Sequence, residues 1–217
     1  LMVLLTALLA AAVLLYALHG WDARGRLFHV FLQLQLMGLS GAFLTGDLFN
    51  LFVFFEVTLI ASYCLLLQGL GQARLRAAFH YVAINLTASG VFLISVSLLY
   101  GITGTLNMAH LGARMGEIPA DDVALARTAG LLLVGVFSVK AAVFPLHFWL
   151  PAAYASAAAP VAALFAIMTK VGVYAVLRVG TFLGEDPVAA AILGGILFYT
   201  GFGTLLAGII GMLSARH

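Results

Sequence analysis

Charged side chains are the scarcest component of this 217-residue sequence. Lysine, arginine, aspartate and glutamate make up 8% of the residues, whereas 64% are hydrophobic and the mean hydropathy is +1.15. A soluble domain carries about a quarter charged residues, so water cannot be the main solvent of this chain. The net charge of +2 is small and its basic residues are scattered, which excludes nucleic acid as a partner.

Cysteine and the common energy-coupling motifs are also missing. Cys64 is the single cysteine, which excludes an internal disulfide and a cysteine-ligated metal or iron–sulfur cluster. There is no phosphate-binding GxxxxGK[ST] loop and no histidine pair suited to haem. We therefore predict no cofactor and no metal site, and expect energy to arrive through ion gradients or partner subunits.

Long apolar runs are what the sequence has in abundance. A helix needs about 20 apolar residues to cross a bilayer, so these runs predict an all-α, polytopic transmembrane bundle of about seven spans. Continuous rather than alternating runs exclude a β-barrel. We interpret residues 1–217 as a single membrane domain that is a fragment, since Leu1 is not methionine. The predicted spans are 1–19, 28–46, 48–68, 77–103, 127–150, 160–183 and 188–213.

The fifth predicted span contains a proline that breaks it. Pro145 has no N–H to donate to the carbonyl of Ala141, and its ring displaces that carbonyl. Backbone freed inside a membrane must be covered by protein or line a wet cavity, and broken spans recur where transporters handle ions. Proline kinks also serve helix packing alone, so both interpretations stay open. In the preceding loop we expect a short interfacial helix, with a new helix starting at Pro119.

The distribution of arginine predicts the orientation of the chain. Cytoplasmic loops are enriched in basic residues. Counted alternately, the connections on one side carry Arg24, Arg26, Arg74, Arg76 and Arg216, and those on the other carry Arg114 and Arg127 with Asp47, Glu117, Asp121, Asp122, Glu185 and Asp186. We therefore predict that the N-terminal end of this chain lies outside and the C-terminal end lies in the cytoplasm.

Three charged residues fall near the centres of predicted spans: Glu56, Lys140 and Lys170. A charge at that depth costs about 2.5–3.5 kcal/mol and normally serves an ion pathway. A buried lysine can release its proton, and a nearby carboxylate opposes that release, so a Glu56–lysine pair that forms and separates can move protons. The alternative is a static ion pair that holds helices together.

Other polar residues in the spans carry weaker signals. His147 lies two residues after the proline, where an imidazole suits either a proton relay or an interfacial hydrogen bond. Asp47 is expected to cap the third helix, with a role at the mouth of a pathway as the alternative. A polar patch in the fourth span is expected to serve helix packing; it comprises Asn85, Thr87 and Ser89.

Four separated motifs occur in a recognisable order: FLTGDLFNLFVFFEVTLIASY, TGTLNMAHL, FSVKAAVFPLHFWLP and MTKVGVYAVLR. They resemble the antiporter-like subunits shared by Mrp-type multisubunit sodium/proton antiporters and respiratory complex I. The pairing of LTGDLFNLFVFFE with GTLNMA is most similar to the D-type subunits of the Mrp branch. Ala152 and Tyr154 stand where many complex I relatives have aspartate and histidine, which favours the Mrp branch.

The resemblance implies a secondary transporter component rather than an enzyme, in a prokaryotic plasma membrane. Glu56 would pair with Lys140 on the broken helix, Lys170 would continue the proton path, and His147 would lie between the two lysines. The partners implied are other membrane subunits, with H⁺ and Na⁺ or K⁺ as the transported ions. The seven spans would be family helices three to nine, comprising the first of two inverted repeats, so this chain alone is not expected to complete transport.

Two alternative functions remain at this point. The same scaffold serves redox-driven complexes such as complex I or a membrane-bound hydrogenase. A purely structural membrane anchor with a static ion pair is the other possibility. The neighbouring genes would separate an antiporter from a redox-driven complex, since small antiporter subunits accompany the first and flavin or iron–sulfur subunits accompany the second.

Overall fold

The computed structural model describes residues 1–22, 25, 27–68, 71–184 and 186–214. Arg24, Arg26, Glu185 and Arg216, which entered the orientation argument, lie outside these residues. The regular structure in the described part is helical apart from one β-bridge. The helices are α1 (Met2–Ala17), α2 (Phe28–Leu44), α3 (Leu48–Leu67), α4 (Gln72–Thr103), α5 (Met108–Met115), α6 (Ala120–Lys140), α7 (Leu150–Ser156), α8 (Ala159–Leu183) and α9 (Pro187–Ser214).

Length and composition identify the helices that can cross a membrane. In the described part of the chain, α3, α4, α6, α8 and α9 are long and apolar enough to do so. Helices α1 and α2 are shorter but apolar, and they occupy the first two predicted spans. The predicted all-α, polytopic membrane bundle is thus confirmed. The short helix expected between the fourth and fifth spans is present as α5.

The predicted break in the fifth span is confirmed, but it lies earlier than expected. Helix α6 ends at Lys140, residues 141–149 form turns, and α7 begins at Leu150, so no continuous helix covers 127–150. Ala142 has φ +54°, which no right-handed helix accommodates, so the helix ends before Pro145 acts on the Ala141 carbonyl. The Val139 carbonyl near the break accepts two hydrogen bonds of 3.0 Å, one from the Ala142 N–H and one from the indole N–H of Trp149.

Backbone hydrogen bonds join the start of α3 to the start of α5, and a side chain caps each of the two helices. Asp47 caps α3, as predicted, by accepting hydrogen bonds of 2.9 Å from the N–H groups of Phe49 and Asn50. Asn107 caps α5 in the same way. An antiparallel β-bridge joins Asp47 to Asn107, so two motifs that are 60 residues apart in the sequence form one junction.

Close backbone approaches set the positions of the helices around the break. A Cβ at Gly172 of α8 would lie 2.5 Å from the backbone nitrogen of Ala141, so only glycine permits this contact. Helix α8 therefore lies directly against the end of α6. A similar approach at Gly38 brings α2 against Thr58 of α3.

Helix α9 lies at the edge of the bundle and is mostly exposed. Gly203 receives the ring of Phe144, and the Thr204 hydroxyl accepts a hydrogen bond of 2.9 Å from the Phe144 N–H. At the other end, Arg127 donates to the Asp186 carboxylate over 2.6 Å. This hydrogen bond lowers the pKa of Asp186, so the pair stays ionised near neutral pH. The α8–α9 connection is thereby tied to α6.

Candidate functional site

Lys140 is the last residue of α6 and is buried, with 6% of its surface exposed. Its Nζ lies 4.9 Å from the centroid of the Phe55 ring and donates to Ser89 Oγ over 3.3 Å. An aromatic face, a hydroxyl oxygen and the negative end of the α6 dipole all favour a cation at this position. The packing of α3, α4 and α6 therefore provides a site for a lysine that is removed from water.

Ser89 of α4 connects Lys140 to Glu56 of α3. Its hydroxyl donates to the Glu56 carboxylate and also lies 3.0 Å from the carbonyl oxygen of Asn85. The described residues include no direct salt bridge between Glu56 and Lys140. Because a hydroxyl has one proton, Ser89 can serve only one of its two acceptors at a time. The acid and the lysine are thus linked through a single hydroxyl that has two possible hydrogen-bond arrangements.

A small cavity of about 20 Å³ adjoins Lys140. Its walls include Asn85, Tyr81 and Trp149. A water molecule needs about 10–15 Å³ of such space and two or more polar partners, so the cavity has room for one. The Tyr81 hydroxyl lies 2.6 Å from Ser62 Oγ on α3. A second polar pair between α3 and α4 thus borders the same cavity as Lys140.

The structure does not bring Lys170 to this cluster. Lys170 is exposed, and its Nζ donates to Thr169 Oγ1 over 3.3 Å. It lies two residues from Gly172, and two residues correspond to about 200° of rotation around a helix. Because Gly172 faces the end of α6, Lys170 points to the far side of α8. Exposed apolar side chains surround it on that face, among them Val173 and Leu177.

His147 lies in the turn segment after α6, also apart from the cluster. Its ring stacks on Phe144 at a centroid distance of 5.5 Å. Its Nδ1 is buried and has no hydrogen-bond partner among the described residues. It makes no hydrogen bond to Lys140 or Lys170 within those residues. His147 therefore presents a buried ring nitrogen that the described side chains and backbone leave without a hydrogen bond.

Ser89, expected from the sequence to serve helix packing, instead links the two charged residues of the site. Asn85 and Ser89 are four residues apart, hence on one helical face, and both are buried. Thr87 points outward and bonds to its own helix at Ala83. The four-residue spacing of Asn85 and Ser89 could have indicated from the sequence that they share a buried face of α4. It does not indicate which neighbouring helix that face contacts.

Buried charges linked by a hydroxyl beside a broken apolar helix are typical of one class, the polytopic membrane proteins. The chain belongs to the NADH:quinone oxidoreductase/Mrp antiporter transmembrane family, which matches residues 45–215. The sequence resemblance to the D-type subunits of Mrp antiporters is confirmed by its relatives. The chain is 45% identical to a probable K⁺/H⁺ antiporter D-type subunit of Rhizobium meliloti, which matches 100% of this chain. It is 42% identical to the Na⁺/H⁺ antiporter D-type subunit of Bacillus subtilis over 99% of this chain.

Two solved structures are similar to this chain in both fold and sequence. The structure of the Mrp complex from Dietzia sp. matches with a TM-score of 0.74 and 37% identity, over 83% of this chain and 34% of that chain. An archaeal membrane-bound sulfane sulfur reductase matches with a TM-score of 0.69 and 35% identity, over 80% of this chain and 36% of that one. The chain spans 40% and 43% of the lengths of the two antiporter relatives from Rhizobium meliloti and Bacillus subtilis.

Proposed function

We propose that this chain is the proton-translocating part of a subunit of a multisubunit monovalent cation/proton antiporter in a prokaryotic plasma membrane. The observation that carries this proposal is the row of Lys140, Ser89 and Glu56 beside the break. The chain is a transporter component rather than an enzyme. Its partners are the other membrane subunits of the complex, together with H⁺ and either Na⁺ or K⁺, since the relatives' names include both cations.

The row supports a proton transfer that needs no large movement. Ammonium Lys140 gives a proton to Ser89 Oγ, and Ser89 gives its own proton to the Glu56 carboxylate. Lys140 and Glu56 are then both neutral, and the Ser89 hydroxyl is regenerated with its proton available for the Asn85 carbonyl. The desolvated surroundings favour the neutral pair, whereas Coulomb attraction favours the charged pair. A change of charge nearby therefore shifts the proton between the two residues.

Lys170 continues the path on the other side of α8. A charged side chain at this depth must be covered by protein or water rather than lipid. We propose that the exposed face of α8 is covered in the complete protein, and that residues 1–217 comprise one membrane domain, the first of two inverted repeats. His147 would supply a relay position between the two lysines.

Ser89→Ala is expected to lower cation/proton exchange by about 100-fold or more, because it removes the hydroxyl through which the proton passes. The measurement is dissipation of a pH gradient in everted vesicles that carry the full set of subunits. Ser95→Ala is the matched control, since Ser95 is equally buried on α4 and bonds only to the Val91 carbonyl of its own helix. Ser89→Thr, which retains a hydroxyl, should restore much of the activity.

Native gels report whether each variant assembles. Equal exchange by Ser89→Ala and Ser95→Ala in assembled complexes would exclude the hydroxyl from the path.

We also propose that the N-terminal end of this chain lies outside and the C-terminal end lies in the cytoplasm, and labelling of introduced cysteines tests this orientation. In a Cys64→Ser background, a cysteine at position 74 should react only with reagents admitted to the cytoplasm, and one at position 117 should react from outside. Arg74 and Glu117 occupy these positions towards opposite ends of α4 and its following connection. Accessibility to an impermeant maleimide in intact cells and in everted vesicles is the measurement. The reverse pattern would overturn the orientation.

The second candidate is a proton-pumping component of a redox-driven complex. The match to the sulfane sulfur reductase favours it, since that protein is described as an archaeal respiratory membrane complex. The same Glu56–Ser89–Lys140 row would serve that role. Genes for small antiporter subunits beside this one would support the antiporter, whereas genes for flavin or iron–sulfur subunits would support the redox complex.

A further inference from the structure

The exposed Lys170 has one hydrogen bond among the described residues, and it leads inward. Its Nζ donates to Thr169 Oγ1 over 3.3 Å, and Thr169 is buried, with 8% of its surface exposed. Thr169 lies three residues before Gly172, so it shares the face of α8 that meets the end of α6. No hydrogen bond joins Lys170 to His147 or to Lys140 in the described part of the chain. The Thr169 hydroxyl therefore connects Lys170 to the inner face of α8.

Tyr154 of α7 brings a second hydroxyl to the same turn of α8. Its hydroxyl donates to the carbonyl of Phe165. A threonine hydroxyl in a helix lies beside the carbonyls three and four residues earlier, which for Thr169 are those of Ala166 and Phe165. Thr169 donates to the Ala166 carbonyl over 3.2 Å and lies within hydrogen-bonding reach of the Tyr154 oxygen. The two hydroxyls are thus neighbours.

The Thr169 hydroxyl has one proton and two acceptors, the Ala166 carbonyl and the Tyr154 oxygen. When its proton points to Tyr154, the hydrogen bonds run without interruption from Lys170 through Thr169 to Tyr154. When it points to Ala166, this row is interrupted. Ser89 provides the same kind of choice between Lys140 and Glu56, so the two lysines are served by hydroxyls of the same kind on different helices.

The inner end of this row lies near the surroundings of Lys140. The rings of Tyr154 and Tyr81 both pack against the ring of Phe165, at centroid distances of 5.8 and 6.3 Å. Tyr81 also lines the small cavity that adjoins Lys140. A single aromatic ring, that of Phe165, thus contacts both Tyr154 and a wall of the cavity beside Lys140.

We propose that Thr169 and Tyr154 form the proton link between Lys170 and the side of the bundle on which Lys140 lies. Ammonium Lys170 gives a proton to Thr169 Oγ1, Thr169 gives its own proton to the Tyr154 oxygen, and Tyr154 gives its proton to a water molecule on the α7 side. Lys170 is left neutral, each hydroxyl keeps one proton, and the water carries the extra one. The reverse sequence reloads Lys170. This link rests on the proposed function and names the residues that connect Lys170 to it.

Tyr154→Phe and Thr169→Val test the link, because each removes one hydroxyl and keeps the size of the side chain. Each should lower the maximal rate of cation/proton exchange by about 100-fold or more. The cation concentration that gives half the maximal rate should not change, since the hydroxyls carry protons alone. Thr169→Ser, which retains the hydroxyl, should restore most of the rate. The measurement is pH-gradient dissipation over a series of cation concentrations in everted vesicles with the full set of subunits, and native gels report assembly.

Matched hydroxyls elsewhere on α8 provide the controls. Tyr174→Phe removes a hydroxyl that lies one turn from Lys170 and donates to the Phe43 carbonyl over 3.0 Å. Thr181→Val removes a hydroxyl that donates to the Arg178 carbonyl three residues earlier. Both variants should exchange at the normal rate. An equal loss in these controls would assign the effect to packing of α8 and overturn the link.

Ser89→Ala separates failure of the link from failure of the proposed function. If Ser89→Ala is inactive while assembled Tyr154→Phe or Thr169→Val exchanges normally, the link is wrong and the proposed function stands. If Ser89→Ala and Lys140→Ala both exchange normally, the proposed function itself is wrong. A rise in the half-saturating cation concentration of Tyr154→Phe, with an unchanged maximal rate, would also overturn the link, because it would indicate a structural role.

Discussion

Lys140→Ala and Glu56→Ala are each expected to reduce cation/proton exchange at least about 100-fold while the complex still assembles, because each removes one end of the proton transfer. Everted vesicles with the full set of subunits provide the measurement, and native gels provide the assembly check. The cost to stability should be modest for Glu56, which is half-buried. Lys140→Ala leaves a cavity and an unpaired Glu56, so its assembly needs the closer check.

A double replacement distinguishes a working pair from a structural one. If Glu56 and Lys140 only held helices together, exchanging both for well-packed apolar residues would be nearly neutral, since desolvation of a buried pair often offsets its attraction. We expect Glu56→Leu with Lys140→Met to assemble at least as well as either single variant and to show no exchange. Normal exchange by this double variant would show that neither residue carries the proton.

Lys170→Arg is expected to lose exchange nearly as completely as Lys170→Ala. Arginine retains the charge but cannot readily release a proton. A position that only needs a cation therefore tolerates arginine, whereas a position that passes a proton onward does not. The same vesicle measurement applies, with assembly checked for both variants.

The exposed position of Lys170 makes this comparison informative. If the lysine only anchored α8 to a covering acidic group, Lys170→Arg would exchange normally and Lys170→Ala would fail to assemble. That pattern would confine the proton path to Glu56, Ser89 and Lys140. We expect the opposite, with both variants assembled and inactive.

The helical content and the interruption at the break were predictable because they depend on local properties. Continuous apolar runs leave the backbone no partner in lipid except its own helix, so spans follow from hydropathy alone. A proline removes a donor wherever the chain goes, and an aspartate before an apolar run caps a helix with its own side chain, as Asp47 does. The end of α6 was less predictable, because the left-handed Ala142 places it before the proline acts.

The sequence by itself thus determined the all-α membrane class of the fold and the types of charge inside its apolar segments. Which charges meet was decided by the tertiary structure. Ser89 became the link between Glu56 and Lys140 because its face of α4 meets both α3 and α6. Lys170 was separated from them because Gly172, on the opposite face of α8, is the residue that packs against α6. Periodicity assigns residues to a helical face, but only the packing of several helices determines what that face contacts.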